Sequence, residues 1–338
     1  MPIALDVMGG DFYPQIPVES ALIAASEGIK VLLVGDETRI KKELEGKRFD
    51  ASKIEIHHAS EVIEMQESIV KAMRTKKDAS MRVCFNLHKQ GLASGVVSAG
   101  SSGGMLAIGK YVLKTLSGVD RPCISALMPS LTGKVLLLDA GANMDCTPQQ
   151  LAQFASLGEI YMRVIHNIPE PRVGLLNIGS EEGKGDERSK RAYELLKLLP
   201  INFTGNIEGK EFFHGDVDVV VTDGFAGNVL LKSVQGAAKF ILQSLKTEIE
   251  KSSRSKAGAL LMKPAFNALK KRTDYQSWGG APLLGMKGVG IVCHGSSDAS
   301  AIAYGIRFAQ WAAESNLTER MAESLAKSSD LLKPSSEK

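Results

Sequence analysis

Short apolar runs rich in valine, isoleucine and leucine alternate along the chain with helical stretches, and each run ends in a turn of glycine or small polar residues. Residues 2–7 lead into Met8-Gly9-Gly10-Asp11, 30–34 into Gly35-Asp36-Glu37, and 95–97 into Ser98-Ala99-Gly100-Ser101-Ser102-Gly103-Gly104. Residues 134–138 lead into Asp139-Ala140-Gly141-Ala142-Asn143, and 172–176 into the loop from Asn177 to Gly185. Residues 217–221 lead into Thr222-Asp223-Gly224-Phe225-Ala226-Gly227-Asn228, and 289–292 into Cys293-His294-Gly295-Ser296-Ser297. Uninterrupted apolar strands separated by helices predict parallel strands covered on both faces. The fold class is therefore α/β, with a doubly wound, mostly parallel sheet. Ligands of such sheets bind beyond the carboxyl ends of the strands, where these glycines and polar residues collect.

Three segments depart from the alternation. Residues 125–133 (SALMPSLTG) read as an extended loop, with Pro129 excluding a helix. Residues 235–274 read as a long helical hairpin, basic and broken at Pro264, that protrudes from a single catalytic domain spanning 1–325. Residues 326–338, rich in serine and lysine, read as a frayed tail.

Composition narrows the function. The 338 residues are 44% hydrophobic and 23% charged with a net charge of +3, which supports a large core and gives no field suited to nucleic acid. Glycine is frequent, at 33 residues, and aromatics make up 6%, which suits tight strand-to-helix turns better than a stacking surface. The four cysteines, Cys84, Cys123, Cys146 and Cys293, form no CxxC pair. That argues against a zinc ribbon, a redox motif or a disulfide scaffold, and points to reduced thiols in the cytoplasm. The N-terminus reaches Asp6 and glycines before any signal-peptide core forms, and no apolar run approaches the roughly 20 residues that span a bilayer. Secretion and membrane spanning are not expected; peripheral contact stays open.

No GxGxxG follows a strand, and Gly133-Lys134 and Gly183-Lys184 lack the Ser or Thr of a P-loop. Gly100-Ser101-Ser102-Gly103-Gly104 does match GxSxG between a strand and a helix, and Asp223 and His294 follow in hydrolase order. A serine hydrolase built on Ser102 is thus one reading. The other is an anion-binding loop at a helix N-terminus. Lys184, between Gly183 and Gly185, suits phosphate binding, and its alternative is a solvated charged turn. Asp223 and Asn228 place an acid and an amide at one strand end. His294 stands at another, beside a helix start, where proton transfer or phosphate contact is expected. The pair His57-His58 reads as structural. The basic cluster Lys71, Arg74, Lys76, Lys77 and Arg82 reads as a solvated helix face, or else as a surface that greets an acidic protein. Leu260, Leu261, Met262 and Phe266, set among Lys263, Lys270, Lys271 and Arg272, suit a hairpin tip touching a membrane surface.

Taken together these strings resemble the bacterial phosphate acyltransferases, acyl-acyl-carrier-protein:phosphate transacylases of phospholipid synthesis. The resemblance runs in order from Asp6-Val7-Met8-Gly9-Gly10-Asp11 through Ser98-Ala99-Gly100, residues 129–133, 138–143, 175–185, 202–209 (NFTGNIEG), 218–228 and 279–285 (GGAPLLG) to His294-Gly295-Ser296-Ser297. It implies a fold similar to isopropylmalate dehydrogenases and phosphotransacetylases without the nicotinamide cofactor, and a homodimer. It implies transfer of a fatty acyl group from acyl-carrier protein to inorganic phosphate. The acyl phosphate then feeds a glycerol-3-phosphate acyltransferase at the inner face of the cytoplasmic membrane, where the enzyme sits peripherally. Neither a metal nor a cofactor is expected.

A thioester is already activated, so the enzyme needs only to hold phosphate near the carbonyl carbon and stabilise the oxyanion. The expected catalytic residues are Lys184, Asp223, His294 and Asn228. The expected substrate-binding residues are Gly100, Ser101, Ser102, Gly103, Asn143, Asn177, Gly183 and Ser296. The chain departs from the family pattern at Phe12-Tyr13, at Gln235, and at Ser101-Ser102-Gly103-Gly104, where the family commonly has Asn-Thr-Gly-Ala. A threonine in place of Ser102 argues against a serine nucleophile. A membrane-associated scaffold without catalysis is the remaining rival.

Overall fold

A computed structural model describes residues 1–64, 66–273 and 280–327. The first half of the chain forms β1 (Ile3–Asp6), α1 (Gln15–Ser26), β2 (Val31–Gly35), α2 (Glu37–Leu44), β3 (Ile54–His58), α3 (Ile69–Thr75), α4 (Ser80–Lys89), β4 (Gly95–Ser98) and α5 (Ser102–Leu113). Next come β5 (Cys123–Pro129), β6 (Lys134–Leu138), α6 (Pro148–Ile165), β7 (Arg172–Asn177), α7 (Glu187–Leu198), β8 (Asn202–Glu208) and β9 (Val219–Val221). The chain continues through α8 (Gly224–Glu250), α9 (Ser253–Leu261), α10 (Lys263–Thr273), β10 (Ala281–Leu284), β11 (Gly290–Val292), α11 (Ala299–Glu314) and α12 (Leu317–Lys327).

The strands form a single eleven-stranded sheet in the order β3-β2-β1-β4-β11-β10-β5-β6-β9-β7-β8. Five strands, β3 to β11, are parallel, and so are the four from β6 to β8. Between the blocks, β10 and β5 make three successive antiparallel pairings. Three reversals are an odd number, so the second parallel block runs opposite to the first. The carboxyl ends of the two blocks therefore open at opposite edges of the sheet.

Side chains alternate across the sheet and both faces are buried. Ile3, Leu5, Leu136 and Leu138 enter one apolar cluster, while Ala4, Val96, Val135 and Leu137 enter the other. The best-buried helix, α6, starts with Pro148 behind a Thr147–Gln150 capping box, a strong local start signal.

Residues 125–129 correct the expectation of a loop. They form most of β5 and pair with β6, while Cys123 and Ile124 of the same strand pair with β10, and Pro129 is the last strand residue, where a missing N–H costs little. The hairpin begins earlier than expected, as α8 runs unbroken from Gly224, and α9 folds back against it. Pro264 stands in the first turn of α10, a position that needs no N–H donor. Residue 274, at the end of the expected hairpin, and Gly279 of the GGAPLLG string lie outside the described residues. Ala326 and Lys327 close α12, and residues 328–338 of the expected tail also lie outside them.

Candidate active site

The predicted site residues fall into two groups, one at the carboxyl edge of each block. The first group is organised by Asp6 at the end of β1. Its carboxylate accepts from the Ser80 hydroxyl at 2.7 Å, the Ser98 hydroxyl at 2.7 Å and the Met8 N–H at 3.2 Å. Ser98 Oγ in turn accepts the Gly100 N–H at 3.0 Å, so the buried acid fixes the start of the glycine loop through one hydroxyl. Burial pushes the Asp6 carboxyl up from its ordinary value against these three donors. Gly9 packs onto the same knot, where a Cβ would lie 2.8 Å from Asp6 Oδ2, Ser98 Oγ and Gly100 N. Gly10 follows at φ +102°, a conformation that L side chains rarely adopt.

Ser101 is the N-cap of α5, and its Oγ accepts the Gly104 N–H at 3.3 Å. Ser102 and Gly103 are exposed, and their N–H groups have no acceptor among the described residues. They stand at the positive end of a 12-residue helix. Just beyond the neighbouring strand β11, His294 is exposed, and its Nδ1 accepts the Ser296 N–H at 3.2 Å with Ser296 Oγ at 2.9 Å. The backbone donor leaves Nε2 as the protonated nitrogen of the neutral ring.

The second group is organised by a matching acid. Asp139, buried at the end of β6, accepts from the N–H groups of Ile124, Gly141, Ala142 and Asn143 and from Asn143 Nδ2, at 2.7–3.2 Å. Burial pushes its carboxyl up while these donors hold the ionised form. Asn143 donates also to the Pro122 carbonyl at 2.9 Å, and its own carbonyl accepts the Gly224 N–H at 2.7 Å. Both Asn143 side-chain protons are thus spent on the protein. The Asp139 loop supports the start of α8, where the carbonyl of Asp139 leaves no room for a side chain at Gly227.

Asp223 caps α8 through the Ala226 N–H at 2.8 Å, and its other oxygen lies 2.6 Å from Arg188 Nη2. Asn228, in the same helix, is half-buried beside Gly141 and its amide has no hydrogen-bond partner among the described residues. Asn177, at the end of β7, donates to the Lys184 carbonyl at 3.0 Å and to Asn206 Oδ1 at 3.1 Å, and accepts the Ile178 N–H at 2.8 Å. This asparagine therefore shapes the Lys184 loop from within. The Lys184 side chain is 49% exposed, with Glu181 3.9 Å from Nζ, and Gly183 is open to solvent. Arg188 escaped the sequence reading because it sits in a charged run, GDERSK. Its place four residues beyond Lys184, just inside the start of α7, is the signal that marks it.

Lys184, Asp223, Asn228, Asn143, Asn177 and Gly183 are thus brought to one edge, and Gly100, Ser101, Ser102, Gly103, His294 and Ser296 to the other. Four strand spacings separate β11 from β9, about 19 Å along the sheet. Within one chain Ser102, His294 and Asp223 do not form a triad, and Asp223 orients Arg188 rather than the histidine. No cluster suited to a metal ion occurs among the described residues.

Residues 1–320 match the family described as fatty acid synthesis protein. The phosphate acyltransferase of Geotalea uraniireducens (strain Rf4) is 48% identical over 326 residues, covering 96% of this chain and 94% of that protein. Among solved structures, a phosphotransacetylase from Streptococcus pyogenes aligns with a TM-score of 0.63 at 17% identity, covering 96% and 94% of the two chains. A 4-hydroxythreonine-4-phosphate dehydrogenase from Klebsiella pneumoniae aligns with a TM-score of 0.55 at 14% identity, covering 92% and 99%. These two likenesses match the α/β fold expected from the sequence. The chain belongs to the fatty acid synthesis protein family and is an acyltransferase of its phosphate acyltransferase branch.

Proposed function

We propose that the enzyme transfers a fatty acyl group from acyl-carrier protein to inorganic phosphate. The observation that carries this reading is the pair of free N–H groups of Ser102 and Gly103 at the α5 N-terminus, beside His294. A helix start with unpaired donors binds a phosphate or a developing oxyanion without a protein nucleophile. A phosphate oxygen attacks the thioester carbonyl, the C–O bond forms as the C–S bond breaks, and the electron pair leaves on sulfur. His294 Nε2–H steadies the departing thiolate, which takes its proton from solvent. Lys184 and the Asn228 amide stabilise the added negative charge, and Asp223 holds Arg188 beside them.

The chemistry needs Lys184 and the α5 N-terminus at one phosphate, whereas one chain holds them at opposite edges. A homodimer in which each group faces its complement on the partner subunit meets that need. The apolar residues Phe240, Ile241, Leu242 and Leu245, exposed along α8, suit such an interface. At the end of α9, Leu260, Leu261 and Met262 are also exposed, with Leu261 at 84%, while Phe266 is half-buried. With Arg254, Lys256 and Lys263 around them, they suit peripheral contact with the inner face of the cytoplasmic membrane, where a glycerol-3-phosphate acyltransferase consumes the product. No described helix is long and apolar enough to cross a membrane.

The deciding experiment incubates the protein with a long-chain acyl-carrier protein, with and without inorganic phosphate. Thiol release that requires phosphate and equals hydroxylamine-trappable acyl phosphate supports the reading. Release of free fatty acid without phosphate overturns it in favour of a hydrolase, and no release overturns it in favour of a scaffold.

A further inference from the structure

We propose that the face of α4 and α5 carrying Arg82, Tyr111 and Lys114 is the docking surface for the acidic carrier protein; this rests on the transferase reading above. Tyr111 is 53% exposed on α5. Two cations converge on its ring, with Arg82 Cζ 5.5 Å and Lys114 Nζ 5.2 Å from the centroid. The neighbouring cations are equally uncompensated. Lys110 Nζ reaches only the Asp120 carbonyl, at 3.1 Å, and the Lys287 N–H bonds the Lys114 carbonyl at 3.0 Å, which brings a further lysine to the patch. Among the described residues no carboxylate forms an ion pair with Arg82, Lys110, Lys114 or Lys287, whereas Lys41, Lys197, Lys251 and Arg307 elsewhere on the surface each lie 2.6–2.8 Å from a carboxylate. A cluster of like charges around an exposed aromatic ring, with no internal partner, is electrostatically matched to an anionic protein.

The surface is also in the right place. Met81, the residue before Arg82, packs against Gly100 and Gly104 of the glycine loop, and Ser80 hydrogen-bonds Asp6 beneath it. Tyr111 lies nine residues after Ser102 on the same helix, about 14 Å along its axis. A carrier seated on this face lays its pantetheine arm along α5 towards the free N–H groups of Ser102 and Gly103. Arg82 is anchored by donation from Nη1 to the Met73 carbonyl at 2.9 Å, so one cation of the patch is preorganised and needs little ordering on binding.

The test compares Tyr111→Ser, Arg82→Glu and the double variant Lys114→Asn/Lys287→Glu with the unaltered enzyme. The double variant removes charge without touching the Arg82 anchor, which guards against loss of fold. Expected is a tenfold or greater rise in KM for acyl-carrier protein, a weaker dependence of kcat/KM on salt, and unchanged turnover of a carrier-free acyl-pantetheine thioester. An unchanged KM for the carrier, an equal defect with the carrier-free donor, or loss only of binding to anionic vesicles overturns the proposal. Should the unaltered enzyme transfer no acyl group to phosphate, the transferase reading fails separately. Titration with the thiol form of the carrier protein then decides the surface, supported if the variants bind weakly and overturned if they bind as the unaltered protein does.

Discussion

Arg188 Nη2 lies 2.6 Å from Asp223 Oδ2, joining the first turn of α7 to the N-cap of α8 across the second group of site residues. The carboxylate is almost wholly buried, and its hydrogen bonds are to this partner and to one N–H. Arg188→Ala leaves Asp223 with the Ala226 donor alone, and we expect a stability loss of about 1–3 kcal/mol. Asp223→Asn keeps a capping oxygen but abolishes the pair. A double-mutant cycle by urea unfolding checks this, and purely additive losses would refute the coupling.

Lys184 has little structural work, being half exposed with Glu181 at the limit of ion-pair distance. Lys184→Ala is expected to fold normally and to lower phosphate-dependent transfer by about 10²–10³. Turnover within a few-fold of the unaltered enzyme, measured by thiol release, would remove it from the chemistry.

The two serines of the glycine loop separate cleanly. Ser101→Ala deletes the α5 N-cap and should cost about 1 kcal/mol. Ser102→Ala deletes an exposed hydroxyl with no partner and should leave both stability and transfer within a few-fold. Mass spectrometry after mixing with acyl-carrier protein should find no acylated Ser102, and its detection would restore the hydrolase.

His166 sets an acid-side limit on stability. Its Nε2 is buried without a hydrogen-bond partner among the described residues, and its pKa is pushed down to about 4 by burial and by the nearby positive charge of Lys134. The unfolded chain, titrating near 6.5, therefore binds the proton first. The stability this histidine contributes is present above pH 6.5 and is lost as pH falls towards 4, at up to about 1.4 kcal/mol per unit. His88 acts in the same sense, since burial lowers its pKa, and its Nε2 accepts the Val289 N–H at 3.0 Å. Urea unfolding at pH 7 and pH 5 should show a smaller difference in His166→Phe than in the unaltered protein.

Leu261→Glu should abolish co-sedimentation with anionic vesicles while leaving transfer from soluble acyl-carrier protein unchanged. Full vesicle binding by the variant would move the membrane contact elsewhere.

The central parallel strands were legible because each is buried on both faces and reads as an uninterrupted apolar run, as in residues 134–138 and 217–221, whereas β8 at the sheet's edge is polar and half exposed and gave no such run. β5 and β10 were not, because Pro129 and Pro282 lie within short segments that carry turn signals. That omission mattered for the site. The loops at the strand ends were visible, but their division between two edges depends on the three antiparallel pairings that β5 and β10 make. Asp6 and Asp139 stood in the quoted strings, yet their part in holding the loops depends on partners as distant in sequence as Ser80 and Ser98. Periodicity carries no trace of such contacts.

The strand order has a consequence for how the protein is made. β4 pairs on one side with β1, about ninety residues earlier, and on the other with β11, close to residue 290. Throughout synthesis of the intervening chain, the emerging N-terminal block keeps one bare edge on β4, with its N–H and C=O groups unpaired. Such an edge is a template for foreign strands, and sheets closed by distant segments form slowly. A nascent chain halted before residue 281 lacks both β10 and β11, so it exposes this edge for as long as it persists. The last strand to leave the ribosome is thus the one that seals the first half of the enzyme.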